Sequence, residues 1–266
     1  MRVAIVSNSR YEEDVHDAWF GMMRQSLQKV LRPETQVELR SPRRGLASGA
    51  ALDFDNAYFT RLNDSAVGEA IVAASREGFD AISVACFGDP CVREVRAAVE
   101  TPVLGAGETA ILVASLIGRR MGIIATRMPE QVGPIHETVR RMGMSERVIP
   151  NGIRLDAHDV AETFEKGFRD PGLVAEAVES QARELVAEGA DVIVVGCCAT
   201  GPFCSAAGFS SFEDGGRRIP VIDPVVVTTK LAESAADLRD GAGLPFTTFA
   251  QPSAEDVDRV HALFEE

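Results

Sequence analysis

The sequence has little positive charge. Its 27 Lys and Arg residues stand against 40 Asp and Glu residues, which gives a formal net charge of −13. A nucleic-acid-binding protein normally presents a basic surface to the phosphate backbone, so we expect no nucleic-acid partner. The dense basic cluster at residues 40–44 is short and is interpreted as a solvated loop. An anionic ligand would have to be held by local groups, because the overall field repels it.

Long apolar runs are also missing. No stretch approaches the roughly 18 to 20 apolar residues that a membrane-spanning helix requires, and residues 1–8 are too short and too polar for a signal peptide. We therefore expect no membrane association and a cytoplasmic location. Hydrophobic residues at 45% and charged residues at 25% are typical of a folded globular protein. The 266 residues are enough for two domains of about 100 to 150.

Metal and cofactor motifs are absent as well. The cysteines form no C-x-x-C pair and have no well-spaced histidine, so we expect no metal site. The Gly105-Ala106-Gly107 segment is too short for a dinucleotide-binding fingerprint, which argues against a nucleotide cofactor. An odd number of cysteines in a reducing compartment predicts free thiols rather than disulfides. The five are Cys86, Cys91, Cys197, Cys198 and Cys204.

The chain contains an internal repeat. Residues 77–86 read E-G-F-D-A-I-S-V-A-C, and residues 188–197 read E-G-A-D-V-I-V-V-G-C. Both copies fit the pattern E-G-x-D-x-I-x-V-x-C. In each, a helix is predicted to stop at the glycine and a buried apolar strand to end at the cysteine. Two cysteines in equivalent positions indicate a duplicated unit with a paired function.

Further segments pair up around the repeat. Continuous apolar strands that alternate with helices predict parallel sheets covered on both faces. We predict an α/β fold of two pseudo-symmetric Rossmann-like lobes, each with a mainly parallel sheet of about four strands. The first lobe is predicted to comprise residues 1–107 plus about 225–266, and the second residues 108–224. The C-terminal helix, predicted from 253 to about 264, is expected to pack on the first lobe.

The predicted strand ends locate a binding site. Ligands of open parallel sheets bind beyond the carboxyl ends of the strands. Cys86 and Cys197 lie at such ends, as do Ser7 and Thr126. We therefore predict a cleft between the lobes that these four residues surround.

A pair of thiols across a cleft suits the inversion of a carbon that carries an acidic proton. One group removes the proton, and the other delivers a proton to the opposite face. A free cysteine has a pKa of about 8.5, close enough to neutrality for both roles. The loop backbone after each cysteine can hold a carboxylate or enolate oxygen. Cys86 and Cys197 are the predicted catalytic pair.

Other polar residues near the predicted cleft are expected either to bind substrate or to support the structure. Asp89 is interpreted as a helix cap, and Glu108 and Asp223 as caps or contacts between lobes. The four histidines fall in helical or polar contexts away from the cysteines, so a Cys–His hydrolase is unsupported. The predicted substrate-binding residues are Ser7, Asn8, Phe87, Gly88, Thr126, Cys198, Ala199 and Thr200.

Several of these segments together resemble the aspartate/glutamate/hydantoin racemase superfamily. The A-C-F-G-D-P string at residues 85–90, the G-A-G-E string at 105–108, the V-G-C string at 195–197 and the P-V-I-D-P string at 220–224 carry the resemblance. The first of these is most similar to the hydantoin racemase branch. The resemblance extends to about residue 233. It implies two Rossmann-like lobes, no metal, no pyridoxal phosphate, a thiol/thiolate pair acting on a Cα–H, and a homo-oligomer.

Departures from the family pattern narrow the range of expected substrates. Residues 86–88 and 197–199 lack the Cys-Asn-Thr and Cys-Thr-His strings of aspartate and glutamate racemases, which argues against a free acidic amino acid. The loop at 199–218 is longer than in hydantoin racemases. Its aromatic residues are expected to line a pocket or form a lid, or else to form an oligomer surface.

We thus predict a cofactor-independent racemase of a 5-substituted hydantoin or related cyclic ureide. The expected partner is a small molecule that bears a carbonyl or carboxylate. A maleate-type cis–trans isomerase and an amino-acid racemase are alternatives from the same superfamily. A non-catalytic small-molecule sensor is the alternative from another class.

Overall fold

The computed structural model describes residues 1–263. The first sheet contains four parallel strands in the order β2-β1-β3-β4. The central strands are apolar and buried on both faces, as the continuous hydrophobic runs predict. Their bounds are β1 (Arg2–Ser7), β2 (Gln36–Arg40), β3 (Ala81–Ala85) and β4 (Val103–Gly105).

The second sheet has five strands in the order β6-β5-β7-β9-β8, one more than the four predicted. Four are parallel, and β8 is added antiparallel to β9 at the edge. The hairpin turns at Gly215 and Gly216, which have φ of 55° and 77°. Glycines tolerate positive φ, so a two-residue turn forms here. The bounds are β5 (Met121–Ala125), β6 (Val148–Leu155), β7 (Val192–Val195), β8 (Ser211–Asp214) and β9 (Arg217–Ile222).

Helices cover both faces of both sheets. None of those in the described part of the chain is long and apolar enough to cross a membrane. Short 3₁₀ turns lie at Pro129–Gln131 and Ser145–Arg147. The α-helices are α1 (Glu13–Leu27), α2 (Ala51–Phe54), α3 (Ala57–Arg76), α4 (Val92–Val95), α5 (Ala106–Ile117), α6 (Val132–Arg141), α7 (Val160–Arg169), α8 (Pro171–Ala187), α9 (Thr200–Ala206), α10 (Pro224–Ala242) and α11 (Ala254–Ala262).

The repeated E-G-x-D segment has the same structure in both lobes. Gly78 and Gly189 follow the ends of α3 and α8 with φ of 77° and 108°, as the predicted helix stops require. The repeat aspartates then hold the neighbouring central strands. Asp80 accepts a hydrogen bond from the backbone N–H of Arg2 at 2.7 Å, and Asp191 accepts one from that of Arg120 at 2.9 Å. These contacts fix the start of β1 and the approach to β5.

Two long helices cross between the lobes. Helix α5 follows β4 of the first sheet but packs on β7 of the second, while α10 follows β9 and packs on β1, β3 and β4. Ala232 and Ala236 of α10 are buried against Val3 and Ala81 of the first sheet. Because α5 and α10 also pack on each other, a continuous core joins the two sheets.

The last helix also packs on the first sheet's side of the molecule. Val257 of α11 lies against the core around β1 and β3, and Asp258 pairs with Arg76 at 2.6 Å. The predicted end of this helix near residue 264 lies outside the described residues. The domain boundaries stay predictions.

Candidate active site

A cavity lies where the carboxyl ends of the central strands of both sheets meet. The empty volume between its walls is about 870 Å³, which includes space open to solvent. Ser7 and Ala85 end β1 and β3, and Ala125 and Gly196 stand at the ends of β5 and β7; all four line it. The two sheets therefore present equivalent edges to one space, as the repeat predicts.

Cys86 and Cys197 both line this cavity and are free, partly exposed thiols. The side-chain amide of Asn8 donates a hydrogen bond to Cys86 Sγ at 3.3 Å. Burial raises the pKa of Cys86 to about 12, and the nearby carboxylates of Asp64 and Asp89 act in the same direction. Cys86 is therefore a protonated thiol at neutral pH.

Cys198 is a third thiol beside the pair. It is buried, lines the same cavity, and burial raises its pKa well above the usual value for a thiol. Its side chain therefore forms part of the cavity wall as a protonated thiol, and its predicted contact with substrate stays a prediction.

The two hydroxyls at equivalent strand ends differ in their bonding. Ser7 Oγ donates to the backbone oxygen of Ser9 at 2.8 Å and lies 3.3 Å from His16 Nε2. Thr126 Oγ1 is buried at the cavity wall and has no hydrogen-bond partner within residues 1–263. Trp19 Nε1, in another lining residue, is also buried without a partner there. Both residues line the cavity, and the predicted contact of Thr126 with substrate stays a prediction.

Most of the other predicted binding residues also line the cavity, namely Asn8, Phe87, Gly88 and Ala199. Thr200 does not line it. Its side chain is buried in the first turn of α9, so its contact with substrate stays a prediction.

The sequence did not indicate the contribution of α1. His16 was assigned away from the cysteines, but it is buried in the cavity wall between the hydroxyls of Ser7 and Ser9. Burial lowers the pKa of His16, which keeps its ring neutral. Val15, His16 and Trp19 share one face of α1 at helical spacing. This amphipathic pattern is the feature of the sequence that indicates a buried face of α1. Other lining residues that were missed are Ser48, Phe54, Met128, Gln131, Ile135, Val160 and Phe164.

The cavity wall carries no formal charge. None of the lining residues is Lys, Arg, Asp or Glu. Among residues 1–263, no group of three or more His, Cys, Asp or Glu side chains is arranged to hold a metal ion. The wall combines polar side chains, among them Ser7, Asn8 and Thr126, with apolar ones such as Trp19 and Phe164.

The lobes also touch beside the cavity. The side-chain amide of Gln131 donates to the backbone oxygen of Phe54 at 2.5 Å, and Glu130 N–H donates to Asp55 Oδ1 at 2.8 Å. Phe54 and Gln131 themselves line the cavity. These contacts join the 3₁₀ turn before α6 to α2 and partly close the cleft.

Acidic residues near the cavity act as helix caps, although Asp89 does not cap the helix that directly follows it. Asp89 accepts hydrogen bonds from the backbone N–H groups of Gly107 and Glu108, both at 2.8 Å, and so caps α5 rather than the nearer α4. Loss of hydration and the Glu108 carboxylate raise the pKa of Asp89 to about 7. Asp223 caps α10 through Val225 N–H at 2.9 Å. Glu108 pairs with Arg96, which connects the start of α5 to the first lobe, and lies 4.0 Å from Arg141 of α6.

The aromatic residues of the 199–218 loop do not line the cavity, and two of the three are buried. Phe203 is fully buried and packs edge-on against Phe164 and Phe168. Phe212 is buried and stacks on Phe209. The loop folds into α9 and the β8–β9 hairpin, which draws these rings into the core of the second lobe.

Fold and cavity together define a two-lobed α/β protein with one thiol from each lobe in a shared cleft. A sequence profile described as Asp/Glu/Hydantoin racemase matches residues 18–232. The chain belongs to this family and is a racemase, an enzyme of the isomerase class.

Individual relatives agree with that assignment. The hydantoin racemase of Pseudomonas sp. (strain NS671) is 32% identical over 211 residues, which cover 78% of this chain and 76% of the relative. The hydantoin racemase of Paenarthrobacter aurescens is 31% identical over 243 residues, covering 90% and 92%. The structure of allantoin racemase from Klebsiella pneumoniae shares the fold with a TM-score of 0.72 at 22% identity, covering 96% of this chain and 95% of that chain.

Proposed function

We propose that this racemase inverts the ring carbon of a 5-substituted hydantoin or a related cyclic ureide, with Cys86 and Cys197 as its acid–base pair and without a cofactor. The observation that carries the proposal is the position of the two thiols. They follow equivalent strands, β3 and β7, of two lobes and line one cavity. This arrangement is suited to proton transfer on opposite faces of a bound carbon.

The reaction requires only proton transfers. The thiolate of one cysteine takes the ring C–H proton, so that an S–H bond forms and the electron pair moves onto the adjacent carbonyl oxygen as an enolate. The thiol of the other cysteine then gives its proton to the opposite face of the carbon and is left as a thiolate. The roles exchange for the other enantiomer. The ring carbonyl makes this C–H acidic enough for a thiolate base.

The uncharged wall favours a neutral ring over a free amino acid. Burying an α-carboxylate or an ammonium group without an opposite charge is costly, and the net charge of −13 disfavours anions further. A cyclic ureide is neutral and offers carbonyl and N–H groups. Thr126 Oγ1 and Trp19 Nε1 have unused hydrogen-bonding capacity for such groups. The names of the two relatives with 31–32% identity support the same substrate class.

A racemisation assay tests the substrate class. Single enantiomers of 5-benzylhydantoin, allantoin, aspartate and glutamate are incubated with the protein, and their optical rotation is followed. We expect loss of rotation of a cyclic ureide well above its spontaneous rate and no change for the two amino acids. Loss of rotation of aspartate or glutamate alone would contradict the proposal. Formation of fumarate from maleate would support the isomerase alternative, and binding without turnover would support a sensor.

Matched cysteine variants test the pair. Cys86→Ser and Cys197→Ser are expected to lower the rate of racemisation at least 1000-fold, on the order of the loss caused by removing an acid–base group. Cys91→Ser is the control, because Cys91 lies against Gly68 and outside the cavity. Retention of the rate in either cavity variant would contradict the assigned roles.

A further inference from the structure

The surroundings of the two repeat cysteines are not symmetric. Cys86 Sγ accepts a hydrogen bond from Asn8 Nδ2, and no side chain within residues 1–263 donates to Cys197 Sγ. By strand register, Thr126 occupies the position of Asn8 in the second lobe, because Val6 and Ile124 pair with the equivalent repeat residues Val84 and Val195. Thr126 Oγ1 has no hydrogen-bond partner within residues 1–263, so this position provides no bond to Cys197.

Asn8 is itself held in place. The buried side chain of Asn63 in α3 donates to the backbone oxygen of Asn8 at 2.6 Å. Asn63 Oδ1 in turn accepts from the backbone N–H of Leu46 at 2.8 Å. A Cβ at Gly45 would lie 2.4 Å from Asn63 Oδ1, so the preceding turn closes tightly on this amide. The backbone of Asn8 is thereby fixed from α3, and its side chain is directed at the thiol.

The remaining groups around Cys86 mostly disfavour its thiolate. Burial has the largest effect on the pKa of Cys86, and Asp64 of α3, Asp89 and Cys197 raise it further. The backbone N–H of Gly88 acts in the opposite direction. The Asn8 amide is the other donor on this sulfur, and a donor to a charged acceptor is stronger than one to a neutral acceptor.

We propose that Asn8 is a positioning residue that stabilises Cys86 as a thiolate through its side-chain amide, with Asn63 holding Asn8 in place. The inference rests on the proposed function, in which Cys86 has to act as a base for one enantiomer. If Asn8 has this role, the two directions of racemisation depend on different residues. Proton removal by Cys86 needs Asn8, whereas proton removal by Cys197 does not.

The thiolate population is measured without substrate. In a Cys197→Ser background, the rate of iodoacetamide labelling of Cys86 is followed by mass spectrometry between pH 7 and 10. Loss of one hydrogen bond to a charged sulfur lowers the thiolate fraction about tenfold. The higher basicity of the remaining thiolate partly offsets this, so labelling of Asn8→Ala is expected to be about three- to tenfold slower at each pH. Asn8→Asp is expected to be slower still, because its carboxylate repels the thiolate.

Two controls keep the result interpretable. In a Cys86→Ser background, Asn8→Ala is expected to leave the labelling rate of Cys197 unchanged, which excludes a general change in access. Circular dichroism verifies that each variant is folded, and Asn8→Asp provides a second variant of nearly unchanged size. Labelling of Cys86 at the wild-type rate in Asn8→Ala or Asn8→Asp would overturn the inference.

The labelling result is separate from the substrate assignment. If Cys86 labelling slows as expected while no cyclic ureide is racemised, the proposed function fails and the role of Asn8 in holding the thiolate stands. If a cyclic ureide is racemised and Cys86 labelling does not depend on Asn8, the inference fails alone.

Discussion

At the scale of single residues, the site depends on which polar groups are already engaged within the protein. Ser7 and Thr126 end equivalent strands, yet Ser7 Oγ bonds to Ser9 and His16 while Thr126 Oγ1 is unpaired among the described residues. A buried hydroxyl without a partner destabilises the folded protein. Because Thr126 lines the cavity and its hydroxyl is not engaged by the described residues, we expect it rather than Ser7 to bind substrate.

Replacement of Thr126 by Val separates these two effects. Valine has nearly the same shape, so we expect KM to rise about tenfold through loss of one hydrogen bond to substrate. The free energy of unfolding is expected to rise by about 1 kcal/mol, since the unpaired hydroxyl is removed. Steady-state kinetics and urea unfolding measure both. Ser7→Ala is the matched comparison, in which stability falls instead; an unchanged KM in Thr126→Val would rule out the binding role.

The predictability of site residues followed their position in the sequence. That Cys86, Cys197, Ser7 and Thr126 line one cavity is predictable, because each lies at the end of an apolar strand and parallel strands bring such ends together. His16 was missed because its contact with Ser7 depends on how α1 lies across the first sheet. That packing is set by side chains distant in sequence, which no local pattern reveals.

At the scale of elements, the amino end of α5 fixes the loop that carries Cys86. Asp89 caps this end, and the backbone of the loop approaches Gly107 so closely that a Cβ there would lie 2.2 Å from the Phe87 carbonyl oxygen. The side chain of residue 107 therefore has to be absent for the loop to hold its position.

Substitution of Gly107 by Ala tests this contact. The backbone oxygen of Phe87 cannot be displaced without moving Cys86, so kcat is expected to fall at least tenfold. Overpacking is expected to lower the free energy of unfolding by about 2 kcal/mol. Gly133→Ala in α6 is the control, because nothing lies within 4 Å of a Cβ there; it is expected to change stability by no more than about 1 kcal/mol. Equal behaviour of the two variants would refute the argument.

The same cap predicts a dependence of stability on pH. The pKa of Asp89 is raised from 3.8 to about 7, so the folded protein keeps a proton that the unfolded chain releases above pH 4. The contribution of Asp89 to stability is therefore present below pH 4 and is lost as the pH rises to 7. Relative to Asp89→Asn, we expect wild-type stability to fall by about 3 kcal/mol between pH 4 and 8. Urea titrations at several pH values measure this difference, and a constant difference would contradict it.

The element pattern was largely predictable. The two copies of E-G-x-D gave the helix stops and the central strands β3 and β7, because glycine punctuation and buried apolar runs are local properties. Strand β8 was missed although Gly215 and Gly216 form a typical hairpin turn. This strand has only four residues, 211–214, and they are partly polar, so the sequence shows no pattern of a buried strand there.

At the scale of the whole molecule, the crossed helices α5 and α10 fix the lobes relative to each other. Each covers the sheet of the other half, so the two cysteine-bearing strand ends are held across one cavity by a shared core. Acid–base chemistry on opposite faces of one carbon requires that the two cysteines are held in fixed positions relative to each other. Homo-oligomer formation and cytoplasmic location stay predictions.

Proton exchange in D₂O tests the central claim most directly, namely that the two thiols serve opposite faces of one carbon. Each enantiomer of 5-benzylhydantoin is incubated with wild type, Cys86→Ser and Cys197→Ser, and the loss of the ring C–H signal is followed by proton NMR with spontaneous exchange subtracted. We predict that wild type exchanges both enantiomers, whereas each variant exchanges only one, and the two variants exchange opposite ones. Exchange of both enantiomers by a variant with a single cavity cysteine of the pair, or wild-type exchange no faster than the background, would contradict the two-thiol account.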